Sequence, residues 1–261
     1  MKIAVFQMSA SPNPTSRLDR IESAMSAAAK EGADILVAPE LAITGYGRGE
    51  ILQTLAQSAD GLWVERLKET AVKTGISLVA GFPERHDEAC YISALIIDKN
   101  NPDVPRIYRK GYLYGTYEKD IFEPNGPSAL VADLHGIKVG FLICYDVEFP
   151  ENVRRLALAG AELVIVPTAL PKGPSGAFIA SHVIPVRAFE NQVFLAYANH
   201  ADRDERFEFQ GMSSIAAPNG DVLASAAPVG DALIFAEINP EEYQQARLEN
   251  PYLADVLNAS D

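Results

Sequence analysis

Apolar positions recur along the chain with two alternating periods, one suited to strands and one to helices. The N-terminal run KIAVFQM is rich in β-formers and predicts a first strand. In TSRLDRIESAMSAAAKEG, Leu18, Ile21, Met25 and Ala28 or Ala29 stand at helical spacing, with Thr15 as N-cap and Gly32 as the stop. ADILVAPE then reads as a buried strand ending at Pro39. A second helix over roughly 59–74 puts Leu62, Leu67 and Ala71 on one face and ends at Gly75. Strands follow at ISLVAGF, YISALIID and, past NPDVPR, IYRK. Such a succession without long helices implies antiparallel members in the sheet.

One internal echo organises the rest. EGADILVAPE (31–40) resembles AGAELVIVPT (159–168): a helix end, a glycine cap, a small-acidic pair, four apolar residues and a proline. Each reads as a helix feeding a central strand, and in α/β sheets ligands gather beyond the carboxyl ends of such strands. Glu40 and Thr168 stand just past those ends, and so does Cys144 after IKVGFLIC. A helix begins at or near Pro150, a residue suited to a first helical turn. Downstream, GAFIASHVIPVRAFENQ predicts a helix bent near Pro185. VFLAYAN predicts a strand, SSIAAPNGDVLASA a hairpin, and ALIFAEI the closing strand. NPEEYQQARLENPYL forms a surface helix or arm. The expected fold is a strand-rich α/β sandwich with helices on its outer faces.

Composition narrows the function classes. At 261 residues, with 48% apolar and 22% charged positions and no low-complexity linker, one soluble domain is expected. No tract reaches the roughly 18 apolar residues of a membrane span. The N-terminus lacks a signal-peptide cleavage context, so a cytoplasmic protein is expected. A net charge of −13 argues against a nucleic-acid partner. Two cysteines, Cys90 and Cys144, make no disulfide framework, and the four scattered histidines make no metal motif.

Taken alone, a cysteine after an apolar run is a small core residue more often than a nucleophile. A glutamate at the end of the buried run ILVAP, however, is costly to place unless a cation meets it. Lys110, in IYRKGYLYGTYEKDIFEPNG, follows another strand-like run and precedes Glu118. A cysteine, a lysine and a glutamate can perform acyl transfer without histidine. The sulfur attacks, the carboxylate moves protons and the ammonium stabilises the oxyanion. A nearby lysine is also expected to lower the thiol pKa and to make Cys144 far more reactive to alkylation than Cys90.

The segments LVAPELAITGY, YRKGYLYGTYE and GFLICYDVEFPE stand in the order of three motifs of the nitrilase, or carbon-nitrogen hydrolase, superfamily, which the chain resembles from about Lys2 to Ala236. VRAFENQVFLAYAN and GMSSIAAPNGDVLA are similar to further family blocks. The resemblance implies Glu40 as general base, Lys110 as oxyanion stabiliser, Cys144 as nucleophile, and Glu118 as the glutamate that positions substrate or Lys110. It implies a four-layer α-β-β-α sandwich over 1–238 as a single catalytic domain, and no metal or organic cofactor. It also implies a homodimer or homotetramer, with the helical arm 239–261 at the interface. Tyr46, Tyr117, Tyr145, Asp146 and Thr168 are expected to line the substrate pocket, Tyr145 through its backbone N–H. Arg187 with Glu190, His182 and His200 are expected to be structural, and Cys90 a core or loop residue.

Cys-Tyr-Asp at the nucleophile, where nitrilases have Cys-Trp-Glu, resembles the amidase and carbamoylase branches. The expectation is therefore hydrolysis of a small amide, with a partial resemblance to enzymes acting on short aliphatic amides that carry a distant amine. An N-carbamoyl amine, an ω-amide or a nitrile are the alternatives. A cationic substrate would want an unpaired carboxylate, with Asp146 and Glu148 as candidates. A binding scaffold without catalysis is the alternative from a different class.

Overall fold

Strand β1 (Lys2–Ser9) forms the seam of the molecule in the computed structural model, which describes residues 1–10 and 14–258. The first half continues with β2 (Ile35–Val37), β3 (Ser77–His86), β4 (Ala89–Ile97) and β5 (Arg106–Arg109). The second half contains β6 (Val131–Leu134), β7 (Ile137–Phe141), β8 (Leu163–Thr168), β9 (Phe194–Arg203), β10 (Glu208–Gln210), β11 (Ser214–Ala216) and β12 (Val222–Ser225). β13 (Ala232–Glu237) returns to pair antiparallel with β1. One sheet thus runs β13-β1-β2-β3-β4-β5, with the β1-β2-β3 pairs parallel and the β3-β4-β5 pairs antiparallel. The other runs β12-β11-β9-β8-β7-β6, with the β9-β8-β7 pairs parallel and its outer pairs antiparallel. The two join where Met8 and Ser9 leave β1 to pair with His200 and Ala201 of β9.

Side-chain alternation builds the layers. From β1, Ala4, Phe6 and Met8 face helices α1 (Pro14–Lys30) and α3 (Leu62–Thr74), whereas Ile3 and Val5 enter the core shared with the other sheet. Leu18, Ile21, Met25 and Ala28 supply the helical side of the outer core, as their spacing predicts. On the opposite outer face, α5 (Pro150–Leu158) and α7 (Ile184–Asn191) bury Val153, Leu156, Ile184 and Ala188. The result is the expected helix–sheet–sheet–helix sandwich in one domain. Each fully buried side chain such as Phe82, Phe141 or Phe194 contributes about 1.5 to 3 kcal/mol of transfer free energy.

Several local expectations change. Helix α1 starts at Pro14, ahead of the expected N-cap Thr15, and residues 11–13 lie outside the described ones. In α3 the buried stripe is Val64, Leu67 and Ala71; Leu62 opens the helix at 82% exposure, because the apolar face is set from Val64 onward at i, i+3, i+7. Gly75 does cap α3 in the left-handed region, at φ 68°. The bend near Pro185 is a π turn, Ile179–Val183, between α6 (Pro174–Phe178) and α7, where the missing proline N–H loosens the helical ladder.

Two five-residue helices, α2 (Ile51–Leu55) and α4 (Gly115–Lys119), lie outside the expected elements. After β13 a 3-10 turn (Pro240–Tyr243) leads to α8 (Gln244–Glu249) and α9 (Tyr252–Asn258). This arm is tied to the end of α7 by the Gln192 amide, which donates to the carbonyls of Ala246 (3.3 Å) and Asn250 (2.6 Å). Among the described residues no helix is long and apolar enough to cross a membrane.

Candidate active site

Four elements deliver Glu40, Lys110, Glu118 and Cys144 to one buried point. Glu40 follows β2 at a turn where Leu41 takes φ 48°. β3 crosses over this turn through Gly81: a Cβ there would run into the Leu41 nitrogen and come within 2.6 Å of the Glu40 Cα. Close backbone approach explains the glycine. From the other sheet, His200 Nε2 donates to the Glu40 carbonyl at 2.8 Å. Burial, with Arg17 nearby, pushes the His200 pKa down to about 3, so the ring is neutral. Its Nδ1 stands 3.4 Å from the Arg17 guanidinium, a donor. His200 is thus structural, as expected.

Lys110 directly follows β5, its N–H bonded to the Ile92 carbonyl at 2.8 Å. Its ammonium donates to Glu40 Oε1 (2.7 Å) and to Glu118 Oε1 and Oε2 (2.7 and 2.8 Å). Glu118, on α4, also accepts from the Tyr46 hydroxyl (2.7 Å) and the Tyr114 N–H (2.7 Å). These donors fill both Glu118 oxygens. Glu40 differs: Lys110 bonds only its Oε1, and the buried Oε2 is held by no residue other than the Cys144 thiol beside the carboxylate.

Cys144 opens a 3-10 turn, Cys144–Glu148, just beyond β7, with φ 46°. A non-glycine residue in that region is strained, and such strain collects at functional sites. Asp146 braces this turn. Its carboxylate accepts from the N–H groups of Ile143 (3.1 Å), Gly111 (3.1 Å) and Tyr112 (2.9 Å) and from the Tyr108 hydroxyl (3.0 Å). One buried side chain therefore ties the chain after Lys110 to the chain before Cys144. Asp146 was expected in the pocket; the structure puts it behind the site because its oxygens are consumed by backbone donors.

The charges set the resting protonation. Burial raises the Glu40 pKa to about 7, the Glu118 charge adds to the rise, and Lys110 opposes it. For Lys110, burial disfavours the charge, but Glu118 and Glu40 outweigh it and hold the ammonium well above its ordinary value. The Cys144 thiol is pushed well up, by burial first and then by Glu40, with Lys110 opposing only in part. The expected lowering by lysine is thus reversed: burial, joined by two carboxylates against one ammonium, leaves a protonated thiol at rest. Cys90, buried in β4, is raised to about 11 by burial.

Cys144 opens onto a cavity of about 310 Å³, lined also by Tyr46, Tyr114, Tyr145, Glu148 and the segment 169–176. A groove of about 760 Å³ beside α1 and β13 is larger but contains no cysteine or histidine. Tyr46 and Tyr145 line the cavity as expected. Tyr117 stands behind Tyr46, donating to its carbonyl at 2.7 Å and accepting from the Gly49 N–H at 2.9 Å. Thr168 is buried at the end of β8, its hydroxyl donating to the Val166 carbonyl at 3.1 Å, and Ala169 takes its expected place on the wall. Tyr114, which the sequence reading did not single out, both lines the cavity and holds Glu118; its only sequence signal is its place in the tyrosine-rich loop after Lys110. Arg187 pairs with Glu190 at 2.9 Å, as expected.

Comparison with known proteins adds the following. The family model described as carbon-nitrogen hydrolase matches residues 2–248. A hydrolase encoded in the pqqF 5′ region of Pseudomonas protegens is 38% identical over 98% of this chain and 88% of its own length. A citrullinase of Francisella tularensis is 33% identical over 95% of this chain and 92% of its own. The crystal structure of an amidase from Nesterenkonia sp. superposes with a TM-score of 0.84 at 36% identity, covering 95% of this chain and 94% of that one. A variant of the Nesterenkonia sp. AN1 amidase carries the product of acrylamide addition at its active-site cysteine.

Proposed function

Because the chain belongs to the carbon-nitrogen hydrolase family, we propose that it hydrolyses small amides to a carboxylate and ammonia through a thioester on Cys144. The observation that carries this reading is the buried Glu40 carboxylate, whose Oε2 no other residue holds, beside the Cys144 thiol that opens onto the cavity. A general base works best with a pKa near the operating pH, and Glu40 is raised to about 7.

In the first half-reaction the Cys144 sulfur bonds to the amide carbon while Glu40 takes the thiol proton. The oxyanion is met by the Lys110 ammonium, which the carboxylates keep charged, and by the backbone N–H of Tyr145. The C–N bond then breaks as Glu40 returns the proton to the departing ammonia. In the second half a water gives a proton to Glu40, its oxygen attacks the thioester, the C–S bond breaks and the thiol is restored. Glu118 holds Lys110 so that the ammonium keeps its aim when Glu40 is protonated.

Ammonia release is measured on a panel of short primary amides, glutaramate, an N-carbamoyl amine and an aliphatic nitrile, with wild type beside Cys144→Ala. Release from at least one amide, reduced about 10⁴-fold or more in the variant while the fold is kept, is the expected result. Amide turnover that survives the substitution overturns the assignment. Preference for the N-carbamoyl amine or the nitrile keeps the nucleophile but changes the substrate class.

A further inference from the structure

Tyr46 reaches the site from the segment GYG, 45–47, between β2 and α2; its ring lines the cavity and its hydroxyl donates to Glu118 Oε1 at 2.7 Å. A tyrosine side chain turns about only two bonds and its ring is rigid, so the place of its backbone decides where the hydroxyl ends. That backbone is held from outside the site. The hairpin joining β9 to β10 lays Asp204 against it: Asp204 Oδ2 accepts from the Gly47 N–H at 2.8 Å, and Oδ1 accepts from the N–H groups of Arg206 and Phe207, both at 2.8 Å. A Cβ on Gly47 would overlap the Asp204 carboxylate, so the loop and the hairpin tip meet too closely for a side chain there.

Phe207, from the same tip, meets the Tyr46 ring edge-on with centroids 5.4 Å apart. Asp204 is half-buried and stands outside the cavity wall. Its influence runs inward along a continuous line. Gly47 leads to Tyr46, the Tyr46 hydroxyl to Glu118, and Glu118 to the Lys110 ammonium at 2.7 and 2.8 Å, which also faces Glu40 at 2.7 Å. Of the donors that hold Glu118, Lys110 is the group to be aimed and the Tyr114 N–H belongs to its own loop. The Tyr46 hydroxyl is the one that comes from a different segment, the turn that also carries Glu40.

We propose that Asp204 is a positioning residue: by holding the Gly47 N–H it fixes where the Tyr46 hydroxyl meets Glu118, and so where Glu118 holds Lys110. It touches neither substrate nor Cys144. Without the carboxylate the Tyr46 backbone is free to shift toward the vacated space, Glu118 loses a donor of fixed direction, and the ammonium loses its aim at the oxyanion. A displacement of about 1 Å at this distance from the chemistry corresponds to a loss of about 10- to 100-fold in kcat/KM. A different role is also conceivable on charge alone, since Asp204 lies near enough to the buried Arg17 to favour its cation. The experiment separates the two.

The inference rests on the amidase reading, so one readout uses turnover and the other does not. The first is kcat/KM on a primary amide, per folded molecule as counted by thermal melts. The second is the rate at which iodoacetamide alkylates Cys144, followed by peptide mapping. Both are measured for wild type, Asp204→Ala, Asp204→Asn, Tyr46→Phe and the double variant Asp204→Ala with Tyr46→Phe. Each alanine or phenylalanine single variant is expected to lose about 10- to 100-fold in kcat/KM, and the double variant no more than about twofold beyond the larger single loss, because both cut one line. Asp204→Asn, which keeps one accepting oxygen without the charge, is expected to fall between wild type and Asp204→Ala. Alkylation of Cys144 slows in the same non-additive pattern. Losses that multiply in the double variant would show that Asp204 acts apart from Tyr46 and overturn the assignment. Asp204→Asn as damaging as Asp204→Ala would make the charge the working part and overturn it too, as would full activity per folded molecule in Asp204→Ala. The non-additive pattern in alkylation, in a protein that turns over no amide, would refute the amidase reading and leave Asp204 as a positioning residue.

Discussion

Glu40 is the residue at which charge, burial and chemistry meet. Its folded pKa of about 7 stands above the ordinary 4.5, so the folded protein binds more protons than the unfolded chain between those values. Stability from this group is therefore full below about pH 4.5 and falls as pH rises through 7. Replacing Glu40 by Gln removes that penalty, and Lys110 keeps both contacts to Glu118. Glu40→Gln is expected to lose activity yet be more stable than wild type at pH 8 by about 1 to 3 kcal/mol, seen as a higher unfolding midpoint, with the difference vanishing near pH 5. A lower midpoint at pH 8 would mean that the Glu40–Lys110 pair is net stabilising. The same ionisation governs rate: kcat/KM rises with pH through about 7, and a profile flat between pH 5.5 and 8.5 would count against Glu40 as base. That a cation would meet Glu40 was legible, because an unpaired carboxylate at a buried strand end is too costly. The resting state of the thiol was not, since it depends first on how deeply the fold buries the sulfur and then on Glu40 and Glu118, the latter brought by a helical turn that no periodicity marks.

At the scale of elements, the site depends on backbones that pass close together. Gly81 leaves room for the Glu40 turn, and Gly81→Ala is expected to destabilise the protein by about 1 to 3 kcal/mol and to lower kcat about 100-fold by shifting Glu40. Guanidinium denaturation and steady-state kinetics measure the two; unchanged values for both would show that the turn has room to spare. Long periodic elements were legible: α1, with Leu18, Ile21, Met25 and Ala28 all buried, and the parallel strands that end near Glu40 and Thr168. The start of α3 was misjudged, because the exposed Leu62 lies at the helix mouth and Val64 begins the stripe. Short turns such as α4 were invisible, since tertiary bonds from Lys110 and the Tyr114 N–H hold Glu118, not local propensity. Asp146 misled for the same reason: the sequence carries its acidity but not the backbone donors that surround it.

Across the whole molecule, the sheets share β1, and the site straddles their junction: Glu40 and Lys110 come from one, Cys144 and His200 from the other. Separating the sheets would break the His200–Glu40 contact and the Asp146 bridge together. The expectation is one cooperative unfolding transition, with the fluorescence of Trp63 on α3 and far-UV circular dichroism changing together. Two resolved transitions would mean that the halves are separable units. The layered sandwich was legible because both halves repeat one helix-to-strand pattern. How the halves face each other was not, since two residue pairs between β1 and β9 make the junction.

The most direct measurement is intact-protein mass spectrometry under rapid acid quench during turnover of a primary amide, followed by peptide mapping. An added mass equal to the acyl group, carried on Cys144, appearing before ammonia reaches steady state and missing in Cys144→Ala, is the expected result. Ammonia released at the wild-type rate with no acyl group on Cys144 at any time would contradict covalent catalysis at this site.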